Sequence, residues 1–119
     1  KRRHISLANS FVNKKVDLTT TSATTLYTAP TAATSIIKSI LVSEDSGNAD
    51  TITVTITDTS DAVFSLFKTK SISANATTEL LTAPLVLQQN EVLKVTAATA
   101  NRLHVILSAL QSKPREVIT

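Results

Sequence analysis

The sequence predicts an all-β protein, an antiparallel β-sandwich or jelly roll of about eight short strands with extended termini. Residues 51–57 alternate threonine with Ile52, Val54 and Ile56, so on a strand the three large apolar side chains share one face. Much of the remaining chain is rich in valine, isoleucine and threonine, which favour strands. Only one glycine and three prolines occur in 119 residues, and no segment has a sustained helical period.

The first half of the chain contains four predicted strands, at residues 11–18, 24–28, 35–43 and 51–57. The second ends at Pro30, because proline lacks the N–H that a strand ladder needs. The third carries apolar side chains on both faces. That pattern favours a central strand that is packed on both faces, or a strand with one face in the core and the other against a partner. In the polar turn 44–50, Gly47 or Asn48 can adopt a positive φ.

The second half contains five predicted strands, at residues 63–67, 71–74, 78–81, 91–97 and 102–110, and a brief apolar segment at residues 85–87. A polar turn at residues 58–61 precedes the first of these strands, and Asn75 separates strand 71–74 from strand 78–81. Because only residues 98–101 separate the last two strands, we expect these two to pair as an antiparallel hairpin. In the final strand, Leu103, Val105 and Leu107 are expected to face the core.

The length of the chain predicts a single domain flanked by two extended segments. Residues 1–10 are basic and lack a sustained period, which indicates an N-terminal arm that either orders against a neighbour or frays. Residues 11–110 form the β-sandwich domain, and residues 111–119, with Pro114 and several charges, form an exposed C-terminal tail. No apolar run approaches the length of a membrane span or a signal-peptide core.

Few side chains in this chain could carry catalysis or bind a metal. Cysteine is absent, which excludes disulfides, thiolate metal sites and cysteine nucleophiles. His104 is expected in mid-strand, facing away from the core, and His4 lies in the N-terminal arm. Neither histidine has the convergent ligands of a metal site or the partners of a catalytic triad in its sequence surroundings. We therefore predict that the protein is not an enzyme and uses no cofactor or metal.

The carboxylates of the middle of the chain fall in two predicted turns. Glu44, Asp45 and Asp50 lie in one turn, and Asp58 and Asp61 lie in the other. Paired carboxylates perform acid–base chemistry when they are buried. Because turns are exposed, we expect all five to be solvated turn residues.

Positive charge is concentrated near the N-terminus. The net charge is +3, and the cluster that provides an expected assembly arm consists of Lys1, Arg2, Arg3, Lys14 and Lys15. Such a cluster suits an acidic protein surface or phosphate groups. No aromatic stacking platform accompanies it, and aromatic residues make up only 3% of the chain. The composition therefore favours a protein partner over nucleic acid.

Several segments resemble small virion structural proteins of tailed bacteriophages that infect aquatic bacteria, including cyanobacteria. They are Ala-Thr-Thr-Leu-Tyr-Thr-Ala-Pro at residues 23–30, Ser-Ile-Ile-Lys-Ser-Ile at 35–40, Thr-Glu-Leu-Leu at 78–81, Pro-Leu-Val-Leu at 84–87 and Glu-Val-Leu-Lys-Val-Thr-Ala at 91–97. The resemblance covers residues 20–110. It implies a β-sandwich or jelly-roll module in the virion, without enzymatic activity, and it identifies no functional residue.

The resemblance implies three locations: capsid decoration, neck or tail. The leading hypothesis is a capsid decoration (cement) protein, homo-oligomeric and with a trimer as one option. It would bind the major capsid protein or other virion proteins through a β face and the N-terminal arm. A neck or tail accessory protein is the alternative within this class. A carbohydrate-binding surface module is the alternative of another class, and it would need exposed aromatic side chains. The aromatic residues, most of them expected to be buried, are Phe11, Tyr27, Phe64 and Phe67.

Overall fold

The computed structural model confirms the all-β prediction. It describes residues 3–118, and the side chains of residues 8–114. Within this part of the chain there are nine strands and no helix, so no helix is present that could cross a membrane. The strands are β1 (Arg3–Asp17), β2 (Thr24–Thr28), β3 (Thr34–Glu44), β4 (Asp50–Thr57), β5 (Val63–Ile72), β6 (Thr77–Glu79), β7 (Leu85–Leu87), β8 (Val92–Ala97) and β9 (Leu103–Ile118).

The nine strands form two antiparallel sheets that pack as a β-sandwich. Sheet A has the order β1-β9-β3-β6, and β7 also pairs with β3. Sheet B has the order β2-β8-β4-β5. The two inner faces enclose a single core of aliphatic side chains and one tyrosine. Its fully buried members include Ile37, Ile40, Ile52, Leu93 and Leu107.

The alternating pattern of residues 51–57 produces the expected strand. On β4, Ile52 and Val54 are fully buried, and Ile56 packs against the same core. The threonines between them are only partly buried. Residues 24–28 also form a strand with the predicted bounds, the apolar segment 85–87 forms the short strand β7, and Gly47 has the predicted positive φ, at 80°.

Two predictions about strand organisation are wrong. The strands on either side of the turn 98–101 do not pair, because β8 lies in sheet B and β9 in sheet A. The short connection therefore carries the chain from one sheet to the other. Residues 71–74 are not a separate strand. Ser71 and Ile72 end β5, and the chain then turns at Asn75, whose φ is 56°.

The first and last strands pair along their whole length. Arg3 lies opposite Ile118 at one end of this ladder, and Asp17 lies opposite His104 at the other. The neighbouring pairing of β3 with β9 ends at Thr34 and Ser112. Beyond that point β1 and β9 continue as a two-stranded ribbon, consistent with overall dimensions of 63 × 28 × 23 Å. The division into arm (1–10), sandwich (11–110) and tail (111–119) stays a prediction.

Glu44 is a buried carboxylate rather than the solvated turn residue that the sequence suggests. It is 1% exposed. Its oxygens accept hydrogen bonds from the N–H groups of Ser46, Gly47, Asn48 and Asn75, at 2.8–3.1 Å, and from the Ser46 hydroxyl. Burial alone would raise the pKa of Glu44. The hydrogen bonds from the Ser46 hydroxyl and the surrounding backbone outweigh burial and hold the pKa at about 2.

Asp50 is the second carboxylate that the solvated-turn prediction places wrongly. It is 7% exposed, and it accepts a hydrogen bond from the Thr99 N–H at 3.1 Å. Asp45 and Asp61 are exposed, as expected. The prediction for Glu44 missed the local donors at residues 46–48 and the distant donor Asn75, and the prediction for Asp50 missed the distant donor Thr99.

A buried hydroxyl network joins the two sheets. The hydroxyls of Tyr27 on β2 and Ser35 on β3 are hydrogen-bonded at 2.7 Å, and the side-chain amide of Gln111 on β9 donates to the Tyr27 hydroxyl at 2.8 Å. Tyr27 is 2% exposed and Ser35 fully buried. Throughout the described residues, every buried side-chain nitrogen or oxygen has a hydrogen-bond partner.

Removing the hydroxyl of Tyr27 should destabilise the fold. Tyr27→Phe leaves the buried Ser35 hydroxyl without its partner, and the expected loss is about 1–3 kcal/mol of unfolding free energy, measured by urea denaturation. The double variant Tyr27→Phe/Ser35→Ala removes both hydroxyls. Its loss of unfolding free energy should be smaller than the sum of the losses in the two single variants. Strictly additive losses would contradict the hydrogen-bond network.

Candidate assembly interface

The outer face of sheet B is dominated by hydroxyl side chains. On β4, Thr51, Thr53, Thr55 and Thr57 alternate with the buried core residues. Thr96 on β8 lies directly opposite Thr53. Hydroxyls of this kind are well solvated. Val63 of β5, which lies opposite Thr57 and is 62% exposed, is an apolar exception on this face.

The outer face of sheet A carries a row of apolar side chains across four strands. The register places Phe11 of β1 opposite Leu110 of β9, Leu110 opposite Ile36 of β3, and Ile36 opposite Val86 of β7. At the usual spacing of strands the row extends over about 14 Å. We call these four residues, Phe11, Leu110, Ile36 and Val86, the apolar stripe.

The apolar stripe faces away from the core. Successive side chains on a strand point to opposite faces, and the chain neighbours Ile37, Leu87 and Ala109 are buried in the core. Phe11 is 81% exposed and Val86 is 50% exposed. Large apolar side chains scattered singly on a surface are common, but an aligned row is typical of a contact surface.

A second, shorter apolar pair lies on the same face. Ile106 of β9 is 39% exposed and lies opposite Leu41 of β3 on one side and Lys15 of β1 on the other. Between this pair and the apolar stripe, Ser108 lies opposite Ser39. A shallow hollow of about 460 Å³ lies beside Ser108 and is lined in part by Phe11 and Lys38. The outer face of sheet A is thus apolar with an indentation.

His104 lies at the far end of this face, between two carboxylates. Its Nε2 is 3.3 Å from Oδ1 of Asp17, and its Nδ1 is 3.4 Å from Oδ2 of Asp45. The cluster joins the end of β1, the start of β9 and the loop after β3. The His104 side chain is 44% exposed, so it faces away from the core, as the sequence predicted.

The arrangement around His104 differs from that of a catalytic triad. Both ring nitrogens face carboxylates, so neither is available to accept a proton from a hydroxyl nucleophile. The two nitrogens lie on opposite sides of the ring, so Asp17 and Asp45 do not converge with His104 on one point. Within the described residues no group of three or more histidine, cysteine or carboxylate side chains is placed to hold a metal ion.

The structure distributes the predicted basic cluster along β1. Lys14 and Lys15 are both exposed, and as neighbours on a strand they point to opposite faces. Arg3 begins β1, far from the two lysines, and its side chain lies outside the described side chains. Lys1 and Arg2 lie outside the described residues. A joint role of the five cations in assembly stays a prediction.

Sequence reasoning found only part of this surface. The two apolar faces of residues 35–43 indicated a strand that could contact a partner, and β3 is indeed central in sheet A, with its buried residues in the core. Phe11, Leu110 and Val86 were not predicted to join it. Their alignment depends on strand pairing between distant parts of the chain, although a phenylalanine within the polar run before Lys14 was a usable signal.

Comparisons with known proteins support the fold. No protein-family model matches the sequence, and no curated protein sequence matches it. Among solved structures, the chain is similar to a protein in the structure titled "Bacillus endospore appendages form a novel family of disulfide-linked pili". The TM-score is 0.50 at 9% sequence identity, over 95% of this chain and 90% of that chain. At that identity the likeness shows a shared β fold and nothing about function.

A second solved structure aligns less well. It is a chain of the "Cyanophage Pam1 capsid asymmetric unit", with a TM-score of 0.38 and 17% sequence identity over 93% of this chain and 86% of that chain. A TM-score at this level carries no argument about the function of this protein.

Proposed function

We propose that this protein is a non-enzymatic structural component of a tailed-phage virion, a capsid decoration (cement) protein. It binds capsid subunits through the outer face of sheet A, and the N-terminal arm adds further contacts. The observation that carries the proposal is the apolar stripe, which leaves Phe11 81% exposed on a face that nothing in the described chain covers. The resemblance of residues 20–110 to small phage virion proteins is the reason for proposing a tailed-phage virion as the particle.

The contrast between the two outer faces supports a role in contacts. The threonines of sheet B suit solvent, whereas the aligned Phe11, Ile36 and Val86 of sheet A suit a hydrophobic contact with a polar rim. Lys38 borders the hollow beside Phe11 and supplies part of such a rim. A rigid two-sheet scaffold holds this surface in place, so little ordering cost is added on binding.

A carbohydrate-binding role is less well supported. The expectation that most aromatic side chains are buried holds for Tyr27 and in part for Phe67, but Phe11 and Phe64 are exposed. Phe11 lies in sheet A and Phe64 lies in sheet B, so they do not form one stacking platform for a sugar.

Quantitative mass spectrometry of purified particles tests the proposal. A decoration protein should be present with a copy number that follows the major capsid protein. A copy number that follows the neck or tail proteins would favour the alternative of a neck or tail accessory protein. Absence from the particles would overturn both. Cross-linking of the purified protein in solution would report its oligomeric state, for which a homo-oligomer is expected.

Deletion of residues 1–10 should weaken incorporation into particles without unfolding the sandwich. Among residues 8–114, whose side chains the structure describes, the first fully buried core residue is Leu18, and residues 103–112 of β9 keep β3 as a neighbour. We expect the melting temperature to fall by no more than about 5 °C, and the amount of protein per particle to fall severalfold. Equal incorporation of the truncated and complete proteins would argue against a role for the N-terminal arm.

A further inference from the structure

The two sheets end in several edge strands, and all but one are short or irregular. β6 and β7, at one edge of sheet A, have three residues each. β2, at one edge of sheet B, has five residues and a register shift between Thr25 and Tyr27. β5, at the other edge, contains a bulge at Thr69, whose φ is 52°. Short strands and bulges are the usual protection of a sheet edge against pairing with other chains.

β1 is the exception, because its edge is long and regular. It runs from Arg3 to Asp17, fifteen residues that pair with β9 without any register shift. It contains neither proline nor glycine. Within residues 3–118, no strand pairs with its other side. Every second residue of β1 therefore presents its backbone N–H and C=O groups outward, where another strand could bind them.

The charges of β1 determine which strand could pair with it. Lys14 and Lys15 are exposed, and the one carboxylate of the strand, Asp17, faces His104. β1 of a second copy would offer Lys14 and Lys15 no carboxylate other than Asp17, which already faces His104. An acidic strand would instead meet two cations, one on each face of the sheet. Charge complementarity thus favours a different, acidic partner over a second copy of this chain.

We infer that the free edge of β1 binds an extended acidic segment of a partner protein, which joins sheet A as an additional strand. This inference deepens the proposed function and rests on it, since the partner would be another virion protein. Backbone hydrogen bonds along β1 supply affinity, as in other cases of strand addition. Carboxylates beside Lys14 and Lys15 fix the register, and an apolar side chain beside Phe11 would extend the apolar stripe onto the added strand.

Hydrogen exchange measured by NMR on the complete protein tests this inference directly. The probe is a short synthetic peptide of valine and threonine with two consecutive glutamates at its centre, so that one carboxylate points to each face of the sheet, at about 1 mM. Without the peptide, we expect the β1 amides that face β9 to exchange slowly and those that face outward to exchange fast. The peptide should slow the exchange of every second β1 amide around residues 9–16, at least severalfold. Protection that does not alternate, or protection of β5 in place of β1, would overturn the inference, as would no protection.

A charge-reversed pair of variants provides the matched control. Lys14→Glu/Lys15→Glu should abolish the alternating protection, and it should restore the protection when the peptide carries lysine in place of glutamate. Lys68→Glu/Lys70→Glu, on the irregular edge strand β5, should leave the protection unchanged. If both variants abolished it, binding would be a general effect of charge and the inference would fail. The peptide experiment uses no particles, so its failure is distinguishable from a failure of the proposed function.

Discussion

Phe11→Asp should reduce binding of this protein to its particle at least about tenfold, the largest functional effect expected of any single surface substitution. Phe11 is the most exposed member of the apolar stripe and the only aromatic one. In an interface it would bury a large apolar surface, and aspartate would place an unpaired charge there. Binding can be measured as protein retained by particles after sedimentation.

Phe64→Asp is the matched control for this prediction. Phe64 is also an exposed phenylalanine, at 57%, but it lies on β5 in sheet B. Both substitutions are at the surface, so both variants should remain folded, with melting temperatures close to that of the unchanged protein. Equal loss of binding in the two variants would indicate a general effect of surface charge. Loss of binding only in Phe64→Asp would place the interface on sheet B and contradict the proposal.

Glu44→Gln should give the largest loss of stability among single polar substitutions. The carboxylate accepts hydrogen bonds from four backbone N–H groups and one hydroxyl, and it ties the turn after β3 to the turn at Asn75. An amide replaces one of the two acceptor oxygens by a donor, so part of this set must lose its partner. At neutral pH we expect the melting temperature to fall by roughly 5–15 °C.

The effect of Glu44→Gln should depend on pH. The pKa of Glu44 is lowered from 4.5 to about 2 in the folded protein, so the folded state favours the ionised carboxylate. Its contribution to stability is therefore complete above about pH 4.5 and is lost as the pH falls toward 2. The hydrogen bond from the Ser60 hydroxyl lowers the pKa of Asp58. Burial alone would raise the pKa of Glu79, but hydrogen bonds from the Ser39 hydroxyl and nearby backbone N–H groups lower it, so the same trend is expected from both groups.

Thermal unfolding from pH 7 to pH 2 measures this dependence. The difference in melting temperature between the unchanged protein and Glu44→Gln should shrink as the pH falls from 4.5 to 2. Asp61→Asn is the control, because Asp61 is an exposed carboxylate and asparagine tolerates its φ of 66°. This control should change the melting temperature little at any pH. A constant difference for Glu44→Gln across the range would show that its charge plays no part.

Local patterns were sufficient to predict most of the strands. The alternation in residues 51–57 predicts a strand with one buried face, and β4 has this arrangement. Pro30 marks the region where β2 must end, and β2 ends two residues before it, at Thr28. These features depend on side chains and backbone geometry within a few residues, so they can be predicted from the local sequence.

Features that depend on pairing between distant segments were not predictable in the same way. β8 and β9 are adjacent in the sequence but lie in different sheets, and β9 instead pairs with β1 from the other end of the chain. The apolar stripe is assembled by this pairing, and so is the contact of His104 with Asp17. The burial of Glu44 likewise depends on the distant turn at Asn75.

Photo-crosslinking in assembled particles tests most directly whether the outer face of sheet A is the contact surface. A photoreactive phenylalanine analogue would replace Phe11 in one variant and Phe64 in another, and mass spectrometry would identify the crosslinked chains. The expected result is a crosslink from position 11 to another virion protein and none from position 64. Crosslinks from position 64 with none from position 11 would contradict the assignment of sheet A as the interface.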